Sequence, residues 1–424
     1  MRYLASRVAI VGGILFFLAW VGSPLLATAA LGLESYGLLT VLSRVAWTTD
    51  LPLFGFLGLM IFALADHFVP LFSGRELRSP RLALIQVLFS IASVVLLLAL
   101  SRSAVFGRTL WLITAVWFVV QIVATWTSGK PAPRRDSRTA ALSSIDWRAR
   151  LITSSAWAYL PLGSLGLVLN APGGDPLVPA LAGYGSSFVH LYVGGFVTLA
   201  LFGFVLHLLP RFLEVVPAAR WVSVLAALAI PSPIGVALSL PFAGTDDPRG
   251  ALLVGFAAAE AMASIVFAGL VFGMWRRSSR RRPAASFSVL GGGWLVLGSF
   301  LAVYMAVVPG GTSRWLPAHG WIVLLGFATF EIFGLIHEIL LPYVTGGLRA
   351  WRLGVRAHEV FATLGLLSVL LSAGLAVEGS PRSSVILAFV GFGFLLAMGV
   401  SVAVGTLRTV AAISRPVAAH RTAP

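Results

Sequence analysis

The chain has no cysteine and a single lysine, Lys130, among its 424 residues. The first absence excludes disulfides, thiolate zinc sites, protein-ligated iron–sulfur clusters and covalently attached c-type haem. The second confines lysine chemistry to one position. Charge is scarce as well: 11 % of residues are Asp, Glu, Lys or Arg, and 15 acids stand against 30 basic residues. There is no GxxxxGK[ST] phosphate loop and no polar stretch long enough for a soluble domain, which argues against an ATP-driven pump. Any metal must be held by His, carboxylate or a weaker donor.

What fills the chain is apolar sequence. Hydrophobic residues make up 58 % and the mean hydropathy is +0.95, far from a soluble balance of roughly half apolar and about a quarter charged. Crossing a bilayer takes about 20 helical residues. Runs of that length fall near 8–31, 50–72, 81–100, 109–127, 151–171, 184–209, 219–241, 250–274, 285–308, 318–342, 357–377 and 383–406. The expected fold is an all-α integral membrane protein of twelve transmembrane helices, with a single membrane domain over 1–424. The first run follows Arg2 and Arg7 without a convincing small-residue cleavage site, and is read as a retained span.

Basic residues are retained on the cytoplasmic side of membranes. On the twelve-span reading, inner segments hold 24 of the 30, including the cluster from Arg276 to Arg282, and outer loops hold Arg44, Arg102, Arg108, Arg249, Arg314 and Arg382. Both termini are therefore expected in the cytoplasm, with the chain a multi-pass protein of the cell membrane. The net charge of +15 then serves topology and anionic lipid, not nucleic acid. The Pro- and Arg-rich stretch 129–150 reads as a basic cytoplasmic linker.

Three spans repeat one pattern: Asp50, His67 and Pro70; His190, His207 and Pro210; His319, His337 and Pro342. The leading residues are 140 and 129 positions apart, and the pattern falls on the second span of each set of four. This predicts three pseudo-repeats, 1–128, 151–275 and 285–411. Asp50, His190 and His319 should share one depth near the outer face, and His67, His207 and His337 another near the inner face. At about 1.5 Å per residue, His190 and His207 are about 25 Å apart and cannot share a metal. The inner histidines precede prolines that mark helix ends, where His can meet unpaired carbonyls; a haem or proton-entry site is the functional alternative. Asp66 beside His67, Glu260 in span eight and Glu331 in span ten are candidates for a proton path, because acids in hydrocarbon are costly and face a cavity or partner. Asp50 is expected to pair with Arg44 or Arg314, and His358 to lie at the interface.

Three short stretches resemble a known superfamily. His190-Leu-Tyr-Val-Gly-Gly-Phe is similar to the HLWVEG stretch of the nitric oxide reductase catalytic subunit, His319-Gly320-Trp321 to its HGH motif, and GFLGLMIFALADHFVPLFSG to its second helix. Twelve helices in three arcs of four is the architecture of haem–copper oxidase subunit I. The resemblance implies His319 as the axial ligand of a b-type haem, with His190 as second ligand, distal group or ligand of a non-haem metal. It also exposes departures. The low-spin haem ligands of the family fall at Asp50 and Trp321, the metal-site glutamate falls at Gly194, and the histidine pair of span seven has no counterpart in WVSVLAALAIPSPIGVALSL. No catalytic residue follows from these matches.

Three functions are compatible with this reading. The first is a divergent haem–copper-oxidase-like protein of respiratory electron transfer or of nitric oxide and oxygen handling, fed by a cytochrome, the quinone pool or another membrane subunit. The second is a non-enzymatic haem or gas sensor, or an accessory subunit. The third is a twelve-helix secondary transporter, against which stands the parallel threefold pattern, since transporters are often built of inverted halves.

Overall fold

A computed structural model of the chain describes residues 4–31, 50–99, 104–128, 140–170, 181, 183–245, 247–280, 282–308, 310–340, 348–377 and 381–414. Among these residues the structure is helical, with no β-strand. Twelve rods follow in order. They are α1 (Leu4–Leu31), α2 (Leu51–Gly58 continuing as Leu59–Ser73), α3 (Pro80–Ala99), α4 (Ala104–Ser128), α5 (Ala140–Leu169) and α6 (Gly185–His190, Leu191–Thr198 and Leu199–Leu213). Then come α7 (Ala219–Ala229, Ser232–Ser239 and Leu240–Phe242), α8 (Pro248–Arg277), α9 (Pro283–Val307), α10 (Gly311–Trp321, Ile322–Ala328 and Thr329–Leu340), α11 (Leu348–Val377) and α12 (Pro381–Ser414). Eleven of the rods contain described stretches long and apolar enough to cross a membrane. The chain is an all-α, multi-pass membrane protein.

Nine rods form a ring and three fill it. Sequence neighbours pack side by side, α1 closes the circle against α12, and α2, α6 and α10 run through the middle. Burial follows this division: 94 %, 72 % and 78 % of the apolar stretches of α2, α6 and α10 are buried, against 33 % in α3, α4, α8 and α9. The outer rods turn Leu15, Phe106, Val120 and Leu238 outward. Such surfaces are stable only against lipid, and helices satisfy their own backbone polar groups there. Phe54, Phe56, Phe62, Phe202, Phe204 and Phe327 are fully buried on the central rods.

The central rods share a local feature that hydropathy does not show. Each widens into a π-helical stretch, Leu51–Gly58, Leu191–Thr198 and Ile322–Ala328, before resuming as an α-helix. The Leu59 N–H bonds to Phe54 O and the Thr329 N–H to Leu324 O, five residues back. The Thr198 and Thr329 hydroxyls donate to Val193 O and Leu324 O at 3.0 and 2.8 Å, satisfying carbonyls that the wider turns leave poorly placed. Asp50, His190 and Trp321 immediately precede these stretches. The third stretch is one residue shorter, so counted back from the resumption of the α-helix the place of Asp50 and His190 falls on Gly320, between His319 and Trp321. His67, His207 and His337 do correspond: each lies eight residues after the α-helix resumes at Leu59, Leu199 or Thr329.

The expected helix ends move outward by about a turn. Pro70 and Pro210 lie inside their helices, which stop at Gly74 and Glu214 in left-handed conformation. The N–H groups of Gly74 and Arg75 bond to Pro70 O, and those of Glu214 and Val215 to Pro210 O. The prolines thus supply the carbonyls of a capping motif. Pro342 lies outside the described residues. The linker is shorter than expected, because residues 140–150 are the first turns of α5. They are held there by Asp146, whose carboxylate meets Arg211 Nη2 at 2.8 and 2.7 Å and His207 Nδ1 at 2.9 Å.

Candidate functional site

His190, Glu260 and His319, each singled out from sequence, face one cavity between α6, α7, α8, α9 and α10. His190 ends the first turn and a half of α6, just where the π-helical stretch begins. Its Nε2 lies 2.9 Å from Glu260 Oε1 on α8, with both side chains about one-fifth exposed. Gly194 makes this rotamer possible. A Cβ there would stand 3.0 Å from His190 Nε2 and 3.3 Å from Cε1, so the residue that departs from the HLWVEG pattern is the one that lets the imidazole fold along its own helix toward Glu260.

His319 is fixed from the other side. Its Nδ1 is 2.9 Å from Gly298 O on α9; a carbonyl only accepts, so Nδ1 carries the proton and Nε2 keeps a lone pair. Below the imidazoles, Ser264 Oγ donates to Glu260 O at 2.8 Å and lies 2.7 Å from Ser299 Oγ, which then supplies the proton between the two hydroxyls. The wall contributed by α7 is a break in that helix. Pro231 and Pro233 carry no N–H, the rod splits between Ala229 and Ser232, and Ile230 O is taken up by the Tyr159 hydroxyl at 2.5 Å. Ala229, Ser232 and Pro233 line the cavity at this break.

The donor set and the space differ in what they admit. His319 offers the kind of ring nitrogen that binds a haem iron, positioned by a backbone carbonyl as axial imidazoles usually are. The cavity, however, is about 60 Å³. As it stands, that is space for a few waters, at roughly 10–15 Å³ each. Phe202, Leu199, Leu295 and Val323 close around it. Among the described residues no group of three or more His, Asp or Glu is arranged to hold a metal ion, and the Nε2 of His190 is already engaged by Glu260.

At the positions where the resemblance puts the low-spin haem ligands, side chains pack instead. Asp50 is buried and paired with Arg108 of α4; the pairing expected with Arg44 or Arg314 lies outside the described residues and side chains. Arg108 Nη2 meets Asp50 Oδ1 and Oδ2 at 2.8 and 3.0 Å, and Nε meets Oδ1 at 3.1 Å. The same guanidinium donates to Leu167 O at 2.7 Å. Trp321 stacks on Trp20 of α1, with centroids 5.4 Å apart and planes 9° from parallel, and meets Phe392 edge-on. Phe17, Phe56 and Phe333 complete this aromatic layer.

The inner histidines do not form one site. His207 belongs to the Asp146–Arg211 cluster, His337 pairs with His358 of α11, and His67 packs against Phe68. His358 is buried against His337. Glu331 is fully buried with Oε2 accepting from Ser288 Oγ of α9 at 2.5 Å, on the side of α10 from which His319 also reaches α9. Asp66 is buried with Oδ2 unpartnered, and the structure brings it to neither cluster. No protein-family model matches the chain. No curated protein matches it either.

Proposed function

We propose that this chain is a divergent relative of haem–copper oxidase subunit I that keeps the scaffold without its redox centres. On this reading it acts as an accessory subunit of a respiratory assembly in the cell membrane. The supporting observation is a pair of contrasting sites. His190 and His319 lie on one cavity with Glu260, as the resemblance implies for spans six and ten, and that cavity is small. Where a second haem would be held, Trp321 lies on Trp20 and Asp50 on Arg108.

The scaffold part of the proposal draws on the ring of nine around α2, α6 and α10 and on their three π-helical stretches, which suit three four-helix arcs. The distribution of Arg supports a reading with both termini in the cytoplasm. The cavity's chemistry is that of proton exchange: a His–Glu pair shares one proton, and the His319 lone pair can accept another. A transporter reading would rest on the break in α7 beside a buried acid; three central rods, in place of two matched halves, favour the oxidase-like one.

The test is the haem content of protein purified from haem-replete cells. The proposal expects no stoichiometric haem and no absorbance change on dithionite reduction. One haem per chain, with its Soret band lost in His319→Ala, overturns it.

A further inference from the structure

At the end of the bundle where α9 begins, four rods enclose a second set of titratable groups, remote from the cavity. His337 of α10 and His358 of α11 stack with centroids 5.0 Å apart and planes 18° from parallel. His337 Nε2 lies 3.1 Å from His358 Nδ1, and His358 Nε2 lies 2.7 Å from Ser401 Oγ of α12. The imidazoles are 1 % and 5 % exposed, whereas Ser401 is on the surface. Next to them Arg282 Nη1 meets Glu338 Oε1 at 3.2 Å, and Ser286 bonds to Glu359. Deeper along α10, six residues before His337 and about 9 Å away in helix rise, stands Glu331. Its Oε2 accepts from Ser288 and its Oε1 has no partner.

A tie between helices could be made by any pair of amides. Here it is made by two imidazoles, each of which in neutral form has one N–H donor and one acceptor nitrogen. The series hydroxyl, imidazole, imidazole therefore has a direction. A proton taken up at one end and released at the other reverses it, and ring rotation resets it. Each hop breaks one N–H or O–H bond and forms the next; no electron moves, and one proton leaves for each that enters. A buried acid with an unpartnered oxygen stands at the inner end, in surroundings where ionisable groups are costly and functional by default.

We propose that Ser401, His358, His337 and Glu331 form a proton relay from the surface of the third four-helix group into the bundle interior, with water carrying the proton between His337 and Glu331. This does not depend on the oxidase-like reading of the scaffold and would operate equally in a transporter.

Infrared spectroscopy of the full chain in lipid tests it. The carboxylic acid C=O band of Glu331, assigned by its loss in Glu331→Gln, is followed after transfer to D2O. The relay predicts that the band is present at neutral pH, that it shifts promptly in wild type, and that the shift is at least about a hundredfold slower in His358→Gln, the low side of what removing a positioned acid–base group costs a proton transfer. Should His358→Gln not fold, judged by gel filtration, Ser401→Ala takes its place with a slowing in the same sense. A band absent at neutral pH, a band that does not exchange in wild type, or exchange at the wild-type rate in the folded variant overturns the proposal.

Discussion

Replacing Arg108 by Ala should be among the most destabilising single changes in the outer half of the bundle. The guanidinium makes three contacts with Asp50 at 2.8 to 3.1 Å and one with Leu167 O at 2.7 Å, joining α4 to α2 and α5, and its side chain is 6 % exposed against 12 % for Asp50. Removing one partner of such a pair strands the other, at a cost of about 3–5 kcal/mol. Asp50→Asn keeps the acceptor geometry and loses the charge; the difference between charged and neutral hydrogen bonds puts its cost at about 1–2 kcal/mol. The double variant Asp50→Leu with Arg108→Met removes both charges together, and its net cost should fall to about 1–3 kcal/mol, chiefly the unpaired Leu167 carbonyl. Equilibrium unfolding in mixed micelles measures all three. An Arg108→Ala variant within about 1 kcal/mol of wild type, or a double variant that costs more than Arg108→Ala alone, would refute the claim that Asp50 is a structural ion-pair partner.

Other outcomes follow from single contacts. Tyr159→Phe leaves Ile230 O at the α7 break without its 2.5 Å donor and should cost about 1–3 kcal/mol, read by the same unfolding assay. Gly194→Ala puts a methyl group 3.0 Å from His190 Nε2; the imidazole must shift by a few tenths of an ångström, and the response of the His190 ¹⁵N shifts to Glu260→Gln should be smaller than in wild type. Asp146→Ala removes the acceptor shared by His207 and Arg211 and should cost about 3 kcal/mol, the low end for a broken buried pair because Arg211 is partly exposed; melting in detergent at fixed lipid content gives the value.

Hydropathy was enough to place the spans, because apolar length is what a bilayer demands. The repeated Asp/His and His positions also marked the rods that turn out to be central, since only buried helices can keep such groups in the membrane. Partners were harder to read. Asp50 and Arg108 are separated by 58 positions, and His190 and Glu260 by 70; nothing in the local sequence of either says which helices touch. Arg108 looked like a loop residue because its charge ended an apolar run, yet it is buried by its carboxylate partner. The one-turn errors at Pro70 and Pro210 have a different origin. A proline lacks a donor but not an acceptor, and its carbonyl can cap the turn that follows. The π-helical stretches left no composition signal at all, and with them the one-residue offset that puts Gly320, not His319, in the place of Asp50 and His190 stayed hidden. Gly194 was legible only as a missing glutamate; its role beside the His190 ring needed coordinates.

We propose that the scaffold is oxidase-like and holds no haem, although His190 and His319 face one cavity. Haem-to-protein stoichiometry, measured by acid extraction from the purified chain after expression with ample haem, tests this most directly. The account predicts a ratio near zero that does not change in His319→Ala. A ratio near one that collapses in that variant would contradict it.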